Sequence, residues 1–461
     1  MGHSQGQVRH ALGILLAVPV LFLSCGTEGG AALPGGSTEE ANPYERIVIN
    51  EAGMHDELQD AASFVEIMNV SQGEISLDGL ELYATDKYLK DQRVASLSGH
   101  LAPGARLILD TGDGSLIAGL CSDAVFTLTL KKGRKGTAVD TFTRPADAAA
   151  LGPFASWQRI PDGNGEWKRI TWSSRGRENS VFDLSATLPN AVWVWGAHMA
   201  GLLADEAREL RSLKEKGFDH ILLNAAAFNQ ANSATAARFI SRAAEIGIAV
   251  HAWMQCFYEN GSWINPILDE QARYDEAVFS RIREEAREYI EQWGVQGIHL
   301  DYIRFGGTAS KHNPSAEVNA KGAVERVCRE IRQIADSYGE GLVTSAALMP
   351  EMNSTSSYGQ DPAAMGRYLH VLMPMIYRYS YGYSDADCRT VSNWFADKAA
   401  EGGAVSWSGM TSYRGNDSGV TPMDAEGILS DARLFAGTRA SGIVIFRYAL
   451  GSFPDVSNLW N

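Results

Sequence analysis

Residues 46–180 alternate apolar and polar positions over short runs that Gly, Asp and Pro separate. The runs are RIVINEA, SFVEIMNV, LDGLELYA, ARLILDTG, FTLTLKKG and AVDTF. A period of two places the apolar side chains on one face of a strand, and closely spaced turn residues favour antiparallel connections. The pattern predicts a β-sandwich in this segment, and it indicates no catalytic residue.

Residues 186–461 alternate apolar, strand-like runs with stretches of helical spacing. Eight such runs occur, namely AVWVWGAHM, HILLNAA, IAVHAWMQC, GIHLDYIRF, LVTSAALMP, VLMPMIYRY, AVSWSGMTSY and GIVIFRYAL. They are spread over about 250 residues, the usual size of a (β/α)8 or TIM barrel. A doubly wound parallel sheet is the alternative, but that fold does not require eight strands. The chain is therefore predicted to be multidomain, with a β-sandwich followed by a TIM barrel.

The N-terminal run ALGILLAVPVLFLS, from Ala11 to Ser24, is too short to cross a bilayer as a helix, which takes about 20 residues. It is typical of the apolar part of a signal peptide, predicted here for residues 1–24. Residues 25–45 are rich in Gly, small and acidic side chains. This composition predicts a flexible linker.

The sequence LFLSCG, from Leu21 to Gly26, resembles the lipobox of bacterial lipoproteins. The resemblance implies cleavage before Cys25 and lipidation of its thiol. It also implies an exported protein that is anchored to a membrane at the bacterial cell envelope or surface. Phe22 departs from the family's pattern, in which Leu is usual at this position. The alternative is an ordinary secretory signal in which Cys25 occurs by chance.

The charge balance narrows the class of partner. The 461 residues include 40 Lys and Arg against 55 Asp and Glu, which gives a formal net charge of −15. This disfavours nucleic acid, because phosphate backbones bind basic surfaces. The five cysteines form no CxxC pair, so neither a disulfide scaffold nor a zinc site is indicated. We expect no cofactor, no bound metal and a monomer.

Several stretches of the first segment resemble the lamin tail domain. They are Ile49 to Glu51, Phe64 to Asn69, Leu77 to Leu82, Leu101 to Gly104, Ser156 to Gly163 and Asn179. The resemblance implies an immunoglobulin-like sandwich, which in secreted bacterial proteins accompanies enzymes as an accessory or binding module. Trp157, Trp167 and Trp172 are candidates for stacking on sugar rings, with simple packing as the alternative.

In a TIM barrel the active site lies at the C-terminal ends of the strands. Here those ends carry many polar and aromatic side chains. The predicted substrate-binding residues are Trp195, His198, Asn224, His251, Trp253, His299, Arg304, Tyr377, Trp407 and Arg447. Such a set suits a polysaccharide or oligosaccharide, because aromatic rings stack on sugars and polar groups bind hydroxyls.

Asp301 is the principal catalytic candidate. Alternation puts it on the same face of the fourth strand as His299, while Leu300 and Tyr302 point to the other, apolar face. The apolar face packs on helices, so Asp301 points into the barrel, where a charged carboxylate needs a partner or water. The alternative is a structural aspartate held in a salt bridge at the rim.

The segment GVQGIHLDYIRF, from Gly294 to Phe305, resembles strand four of the glycosyl-hydrolase-like barrels called family-10-like. Asn265-Pro266 before it and MPMIY, from Met373 to Tyr377, occur in the order of that group's motifs. The resemblance covers most of 186–461. It implies a TIM barrel that acts on glycosidic bonds, in a group whose substrates are heterogeneous.

Glycoside hydrolysis uses two carboxyl groups that flank the scissile bond. Asp301 is the predicted nucleophile or base, and Glu351, directly after strand five in LMPEMN, is the predicted acid. Glu351 could equally be a solvated loop charge. Glu259 and Asp361, on loops that could fold over the mouth, are the alternative candidates for the second carboxyl group.

The sequence also allows two other functions. Chitinase-like barrels end strand four in Asp-x-Asp-x-Glu, whereas this chain has Ile303 in place of the last acid. This departure disfavours a chitinase-type mechanism and allows a surface lipoprotein that binds glycans without cleaving them. A metal-dependent deacetylase is the third possibility, with His198, His251 and His299 as ligands, but their spacing matches no metal motif.

Overall fold

The computed structural model describes residues 44, 46–53, 64–86, 90–110, 126–145, 156–170, 173–179, 181–339, 341–352, 354–416 and 419–460. All of them belong to one compact unit, Pro43–Asn461. The predicted signal peptide, the predicted linker apart from Tyr44, and the residues Cys25 and Trp172 lie outside the described residues. No helix among the described residues is long and apolar enough to cross a membrane.

The first segment consists of short strands. They are β1 (Ile47–Gly53), β2 (Phe64–Asn69), β3 (Ile75–Ser76), β4 (Leu80–Thr85), β5 (Gln92–Ser96), β6 (His100–Leu101), β7 (Arg106–Asp110), β8 (Thr127–Lys132), β9 (Ala138–Thr143), β10 (Ser156–Ile160) and β11 (Glu166–Ile170). Strands β11-β10-β1-β2-β7 form one sheet, β5-β4-β8-β9 a second one, and β3 pairs with β6. All of these pairings are antiparallel, as the alternating pattern predicts.

The two larger sheets share one apolar core. Ile49 of β1 and Ile67 of β2 belong to the same buried cluster as Leu82 of β4 and Leu130 of β8. Trp157 is also part of this cluster and is 6% exposed. Its indole is therefore packed inside the module, so it is not placed to stack on a sugar.

Polar side chains are buried in this module as one hydrogen-bonded network. Glu51 accepts from the N–H (2.9 Å) and the hydroxyl (2.8 Å) of Ser174. Asn50 donates to Glu66 (2.8 Å), and Asn179 donates to the carbonyl oxygen of Asn50 (2.9 Å). Buried polar groups are tolerated when they are paired. The polar residues of this network therefore have a structural role here.

The second segment alternates strands and helices. The strands are β12 (Asn190–Val194), β13 (His220–Asn224), β14 (Ala249–Gln255), β15 (Tyr258–Glu259), β16 (Ser262–Trp263), β17 (Ile267–Leu268), β18 (Arg273–Tyr274), β19 (Gly297–Asp301), β20 (Val343–Leu348), β21 (Val371–Pro374), β22 (Val405–Thr411), β23 (Tyr413–Asn416), β24 (Gly419–Pro422) and β25 (Gly442–Phe446). The α-helices are α1 (Met199–Glu215), α2 (Ser233–Ile246), α3 (Glu276–Trp293), α4 (Ala320–Ser337), α5 (Thr355–Tyr358), α6 (Pro362–Met365), α7 (Arg378–Tyr381), α8 (Asp385–Gly402) and α9 (Ala425–Ala436).

Eight parallel strands close into a barrel in the order β12-β13-β14-β19-β20-β21-β22-β25. The structure confirms the predicted closed barrel of eight parallel strands. The doubly wound alternative is wrong, because β12 pairs with β25 and leaves the sheet without an edge. Three antiparallel hairpins, β15–β16, β17–β18 and β23–β24, were not predicted. They follow the C-terminal ends of barrel strands and so lie on the side of the mouth.

Helix α3 leads into β19, the strand that carries Asp301. Asp275 caps the helix by accepting a hydrogen bond from the N–H of Ala277 (3.1 Å). Gly294 ends the helix in the left-handed conformation, with φ of 59°. The buried residues of α3 recur at helical spacing, and their packing on the barrel helps to fix the position of β19.

Candidate functional site

A cavity of about 690 Å³ opens at the C-terminal ends of the barrel strands. The described residues that line it are Trp193, Trp195, Asn224, Ala225, Ala226, Trp253, Gln255, Asp301, Tyr302, Arg304, Ala347, Met349, Met375, Tyr377, Ser380, Tyr381, Tyr413 and Phe446. Eight of these residues are aromatic, and Asp301 is the one carboxylic acid among them. The volume lies in the range of small-molecule sites.

Asp301 ends β19 with its carboxyl group in this cavity. The indole N–H of Trp253 donates to Oδ2 (2.8 Å), and the N–H of Tyr302 donates to Oδ1 (2.7 Å). Burial raises the pKa of the Asp301 carboxyl above its ordinary value, although both hydrogen bonds and the nearby Arg304 guanidinium lower it in part. Desolvation disfavours the charged form, so Asp301 retains its proton to a higher pH than an exposed aspartate does.

The backbone bends sharply directly after Asp301. Tyr302 has a φ of 50°, in the left-handed region that residues other than Gly seldom adopt. Its ring is stacked on Tyr258 of the β15–β16 hairpin, with centroids 4.5 Å apart and 17° between the planes. Such a conformation costs on the order of 1–3 kcal/mol and is enriched at functional sites. The bend lets Tyr302 contribute both a backbone donor and an aromatic wall.

Tyr377, which follows β21, forms another wall of the cavity. Its ring lies over Phe446 at the end of β25, with centroids 5.6 Å apart and 22° between the planes. Burial, and secondarily the charge of Asp301, raise the pKa of the Tyr377 hydroxyl well above its ordinary value. The hydroxyl therefore stays protonated and can donate a hydrogen bond to a ligand.

Several predicted residues come together at this cavity. The lining includes Trp195, Asn224, Trp253, Asp301, Arg304 and Tyr377. Arg447 lies beside them, with its guanidinium carbon 5.0 Å from the centroid of the Trp195 ring. Asp301 has no salt bridge within the described part of the chain, which removes the basis for the alternative of a rim ion pair.

The structure places His251, His299 and Trp407 elsewhere than the sequence predicted. They lie in the filled interior of the barrel beneath the cavity, with exposed fractions of 0%, 0% and 2%. All three do point inward, but each precedes the end of its strand. His299 stands two residues before Asp301 and is therefore one layer deeper. These residues do not line the cavity.

The interior histidines form the floor beneath the cavity. The Trp193 indole N–H donates to His299 Nε2 (3.2 Å), and His299 Nδ1 contacts the Ser345 hydroxyl (2.9 Å). His220 Nδ1 lies 3.1 Å from His251 Nε2. Burial lowers the pKa of His220 and of His299 to about 3, and that of His251 well below its ordinary value. The floor is therefore uncharged at neutral pH.

Glu351, the predicted acid, does not line the cavity. Its Oε1 accepts a hydrogen bond from the Tyr358 hydroxyl (3.3 Å), and its Oε2 is buried without a hydrogen-bond partner among the described residues. Burial, and secondarily the charge of Glu351, raise the pKa of the Tyr381 hydroxyl. Because Tyr381 lines the cavity, Glu351 lies close to the cavity lining without belonging to it.

The remaining candidates lie apart from the cavity. Glu259 is exposed on the β15–β16 hairpin. Asp361 caps α6 and forms a salt bridge with Lys321 (2.6 Å). His198 precedes α1, and its ring centroid is 5.7 Å from that of Tyr448. None of these three candidates belongs to the cavity lining that the structure describes.

The lining residues that the sequence interpretation missed include several aromatic side chains. Phe446 ends a barrel strand, so the strand-end rule could have identified it. Tyr381 and Tyr413 lie on α7 and β23, two short elements without a distinct sequence pattern. Their approach to the cavity depends on how the connections fold, which no local signal indicates.

The three histidines of the deacetylase hypothesis do not meet. Two are buried in the floor, and His198 lies beside Tyr448. Within the described residues, no group of three or more His, Cys, Asp or Glu side chains is arranged to hold a metal ion. The arrangement around Asp301 instead offers one proton-transferring carboxyl group among aromatic faces and hydrogen-bond donors.

Comparison with known proteins gives fold likeness only. No protein-family model matches the sequence, and no curated protein matches it. A Bacteroides uniformis β-glucuronidase is 9% identical with a TM-score of 0.36 over 87% of this chain, which spans 47% of that enzyme's length. The Bacillus cereus spore cortex-lytic enzyme SleL is 14% identical with a TM-score of 0.41, over 62% of this chain and 75% of that enzyme.

A third structure, a GH18 chitinase from Pseudoalteromonas aurantia, is 11% identical with a TM-score of 0.40, over 56% of this chain and 94% of that enzyme. These distant structural neighbours are glycoside hydrolases. At such identities and TM-scores the likeness carries no argument about the reaction of this chain.

Proposed function

We propose that the barrel binds a glycan in the cavity and hydrolyses one of its glycosidic bonds. The observation that carries the proposal is Asp301, a carboxyl group with a raised pKa, set among aromatic side chains at the C-terminal ends of the barrel strands. Aromatic faces bind the apolar faces of sugar rings, and a carboxyl group moves the proton that glycosidic cleavage requires.

The raised pKa favours the role of general acid for Asp301. In this role the carboxyl group gives its proton to the glycosidic oxygen as the bond to the anomeric carbon breaks. The N–H groups of Trp253 and Tyr302, each already hydrogen-bonded to one carboxyl oxygen, then stabilise the carboxylate that remains. This assignment reverses the sequence-based one, in which Asp301 was the base or nucleophile and Glu351 the acid.

The second carboxyl group of the proposed reaction is Glu351. Its buried Oε2, which has no hydrogen-bond partner among the described residues, and its position near Tyr381 support this choice. As a base, it would accept the proton of the water that attacks the anomeric carbon. To do so, its carboxyl group must turn from the Tyr358 hydroxyl toward the cavity.

A glycan-binding barrel without hydrolysis is the second candidate function. The observation that favours it is the cavity lining, which contains one carboxylic acid among the described residues, whereas the usual glycosidase mechanisms need two. The same aromatic side chains would then bind a sugar that the protein leaves intact.

A screen of the purified protein on a polysaccharide panel that includes peptidoglycan tests the proposal. We expect cleavage of at least one glycan, and a fall in rate of about 10²–10⁴-fold in Asp301→Asn, the usual contribution of a general acid. Asp397→Asn, which changes an exposed aspartate on α8, is the matched control. Binding that persists in Asp301→Asn, with no cleavage by the unsubstituted protein, would establish the glycan-binding alternative.

We also propose that the first segment is an immunoglobulin-like accessory module of the lamin-tail type, and that a lipid on Cys25 anchors the protein to the cell envelope. The buried network around Asn50, Glu51 and Asn179 supports the proposed module type, because it gives the motif residues a common structural role.

Mass spectrometry of the membrane fraction tests the proposed lipid anchor on Cys25. Cys25→Ser should lose the acyl groups and move the protein to the soluble exported fraction.

A further inference from the structure

Two exposed tryptophans at the mouth of the barrel each lie against an arginine. Trp195, directly after β12, is 40% exposed, and the Arg447 guanidinium carbon is 5.0 Å from its ring centroid. Trp263, on the β15–β16 hairpin, is 42% exposed, and the Arg304 guanidinium carbon is 4.5 Å from its ring centroid. Each pair therefore presents an aromatic side chain and a guanidinium together at the surface.

The two arginines stand on opposite sides of the cavity. Arg304 follows β19, the fourth strand of the closed barrel, and Arg447 follows β25, the eighth. In a closed barrel of eight strands, the fourth and the eighth lie across the barrel axis from each other. Asp301 ends the same strand that Arg304 follows, and its carboxyl group lines the cavity that separates the two arginines.

Neither guanidinium is held in a salt bridge with a described residue, although Arg304 is near enough to Asp301 to lower the pKa of its carboxyl group. Within the residues that the structure describes, Arg304 and Arg447 form no salt bridge, whereas Arg378 pairs with Asp431 (2.9 Å) and Arg159 with Asp140 (2.8 Å). The chain as a whole carries a net charge of −15. Two unpaired positive charges at the mouth of an acidic protein therefore form a local site for anions.

We propose that the mouth binds an acidic polysaccharide, with a carboxylate-bearing sugar on each side of the cavity. Each tryptophan stacks on a sugar ring, and the neighbouring guanidinium binds that sugar's carboxylate with two parallel hydrogen bonds. The glycan extends across the mouth and places an internal bond over Asp301. This inference rests on the proposed function and adds the class of its substrate.

Binding to matched probes tests the inference in an Asp301→Asn background, in which cleavage is suppressed. The probes are oligosaccharides of polygalacturonate, of hyaluronan and of peptidoglycan glycan strands, each beside its carboxyl-reduced form, and the measurement is isothermal titration calorimetry. We expect at least one acidic probe to bind tenfold or more tightly than its reduced form. Raising the salt concentration should weaken the acidic probe selectively.

Substitution of the arginines separates charge from stacking. Arg304→Gln and Arg447→Gln should each weaken the acidic probe about tenfold and leave the reduced probe unchanged, while Arg447→Lys should lose less. Arg433→Gln, on the exposed surface of α9, removes one positive charge away from the mouth and should change neither probe. Arg447 is at the rim, so its variants report on the inference even if Arg304→Gln folds poorly.

Equal affinity for acidic and reduced probes, or no binding of any acidic probe, would overturn the inference. An equal loss for both forms in the arginine variants would also overturn it, because the guanidinium would then only support the tryptophan. Failure of the proposed function looks different. The protein would then bind acidic glycans with the expected arginine dependence, and the unsubstituted protein would cleave none of them.

Discussion

Asp301 illustrates how position along a strand decides the role of a single residue. It shares one face of β19 with His299, as alternation predicts, yet only Asp301 reaches the cavity. The direction of a side chain follows from the sequence, because the period of a strand is two. Its depth depends on where the strand ends relative to its neighbours, and the sequence leaves that open.

The hydrogen bond from Trp253 to Asp301 makes the proposed acid testable by pH. Because this bond lowers the pKa of Asp301, Trp253→Phe should raise that pKa further. A general acid must be protonated, so kcat/KM falls as pH rises through its pKa, and in the variant this fall should move to higher pH. The pH profile of hydrolysis checks the prediction.

Trp394→Phe, which alters an indole on α8 away from the mouth, is the control for that measurement. Its profile should match that of the unsubstituted protein. If the pH at which kcat/KM falls is unchanged or lower in Trp253→Phe, Asp301 is not the general acid.

At the scale of elements, β19 depends on a glycine at its start. A Cβ on Gly297 would lie 2.1 Å from His251 Nδ1 and 2.7 Å from the Val343 carbonyl oxygen. Gly297→Ala should therefore destabilise the barrel by about 1–3 kcal/mol, the usual cost of overpacking. Thermal unfolding measures this. Gly201→Ala, where nothing lies within 4 Å, should be neutral or slightly stabilising.

The buried glutamates of the first segment make its stability depend on pH. Burial raises the pKa of Glu66 to about 7, so between about pH 4.5 and 7 the folded state binds more protons than the unfolded state. Stability should fall as pH rises through this window, by up to about 3 kcal/mol for a shift of this size. Chemical denaturation of the module at pH 5 and pH 8 measures the difference.

Glu66→Gln should remove most of that pH dependence, whereas Glu74→Gln, at an exposed position, should retain it. A pH dependence that is equal in both variants would mean that Glu66 is not its source. Glu51, whose pKa burial also raises, accounts for what remains.

The contrast between long and short elements explains what the sequence could predict. The eight barrel strands are apolar runs that the core requires, so their order was predictable. The β15–β16 hairpin has two residues in each strand and forms through pairing across its turn, which leaves no periodic pattern. The place of Trp263 at the mouth and its contact with Arg304 therefore could not be predicted from the sequence, although Arg304 itself was predicted.

For the whole molecule, the contacts between the first segment and the barrel lie away from the mouth. Arg169 donates to the Tyr338 carbonyl oxygen (3.4 Å), and Arg177 donates to that of Ala244 (3.4 Å). Tyr338 follows α4, and Ala244 lies in the last turn of α2. Helices of a TIM barrel end at the N-terminal face of its strands, so the first segment contacts the face opposite the cavity.

Arg169→Ala should weaken this junction without affecting the site. We expect a loss of about 1–2 kcal/mol, because the guanidinium is partly buried and lies 5.0 Å from the Tyr338 ring centroid. Hydrolysis or glycan binding should stay unchanged. Arg433→Ala should alter neither property. A loss of glycan affinity in Arg169→Ala would mean that the two faces of the barrel are coupled.

The uncharged floor of histidines has a consequence for how the cavity responds to ligands. With the pKa of His220 and His299 at about 3, the floor stays uncharged while the cavity carboxyl group titrates. Among the described lining residues, one proton on Asp301 therefore sets the change in electrostatic potential that a bound sugar experiences. An acidic glycan that occupies the mouth disfavours the carboxylate, so its binding takes up a fraction of a proton from solution and strengthens as the pH falls.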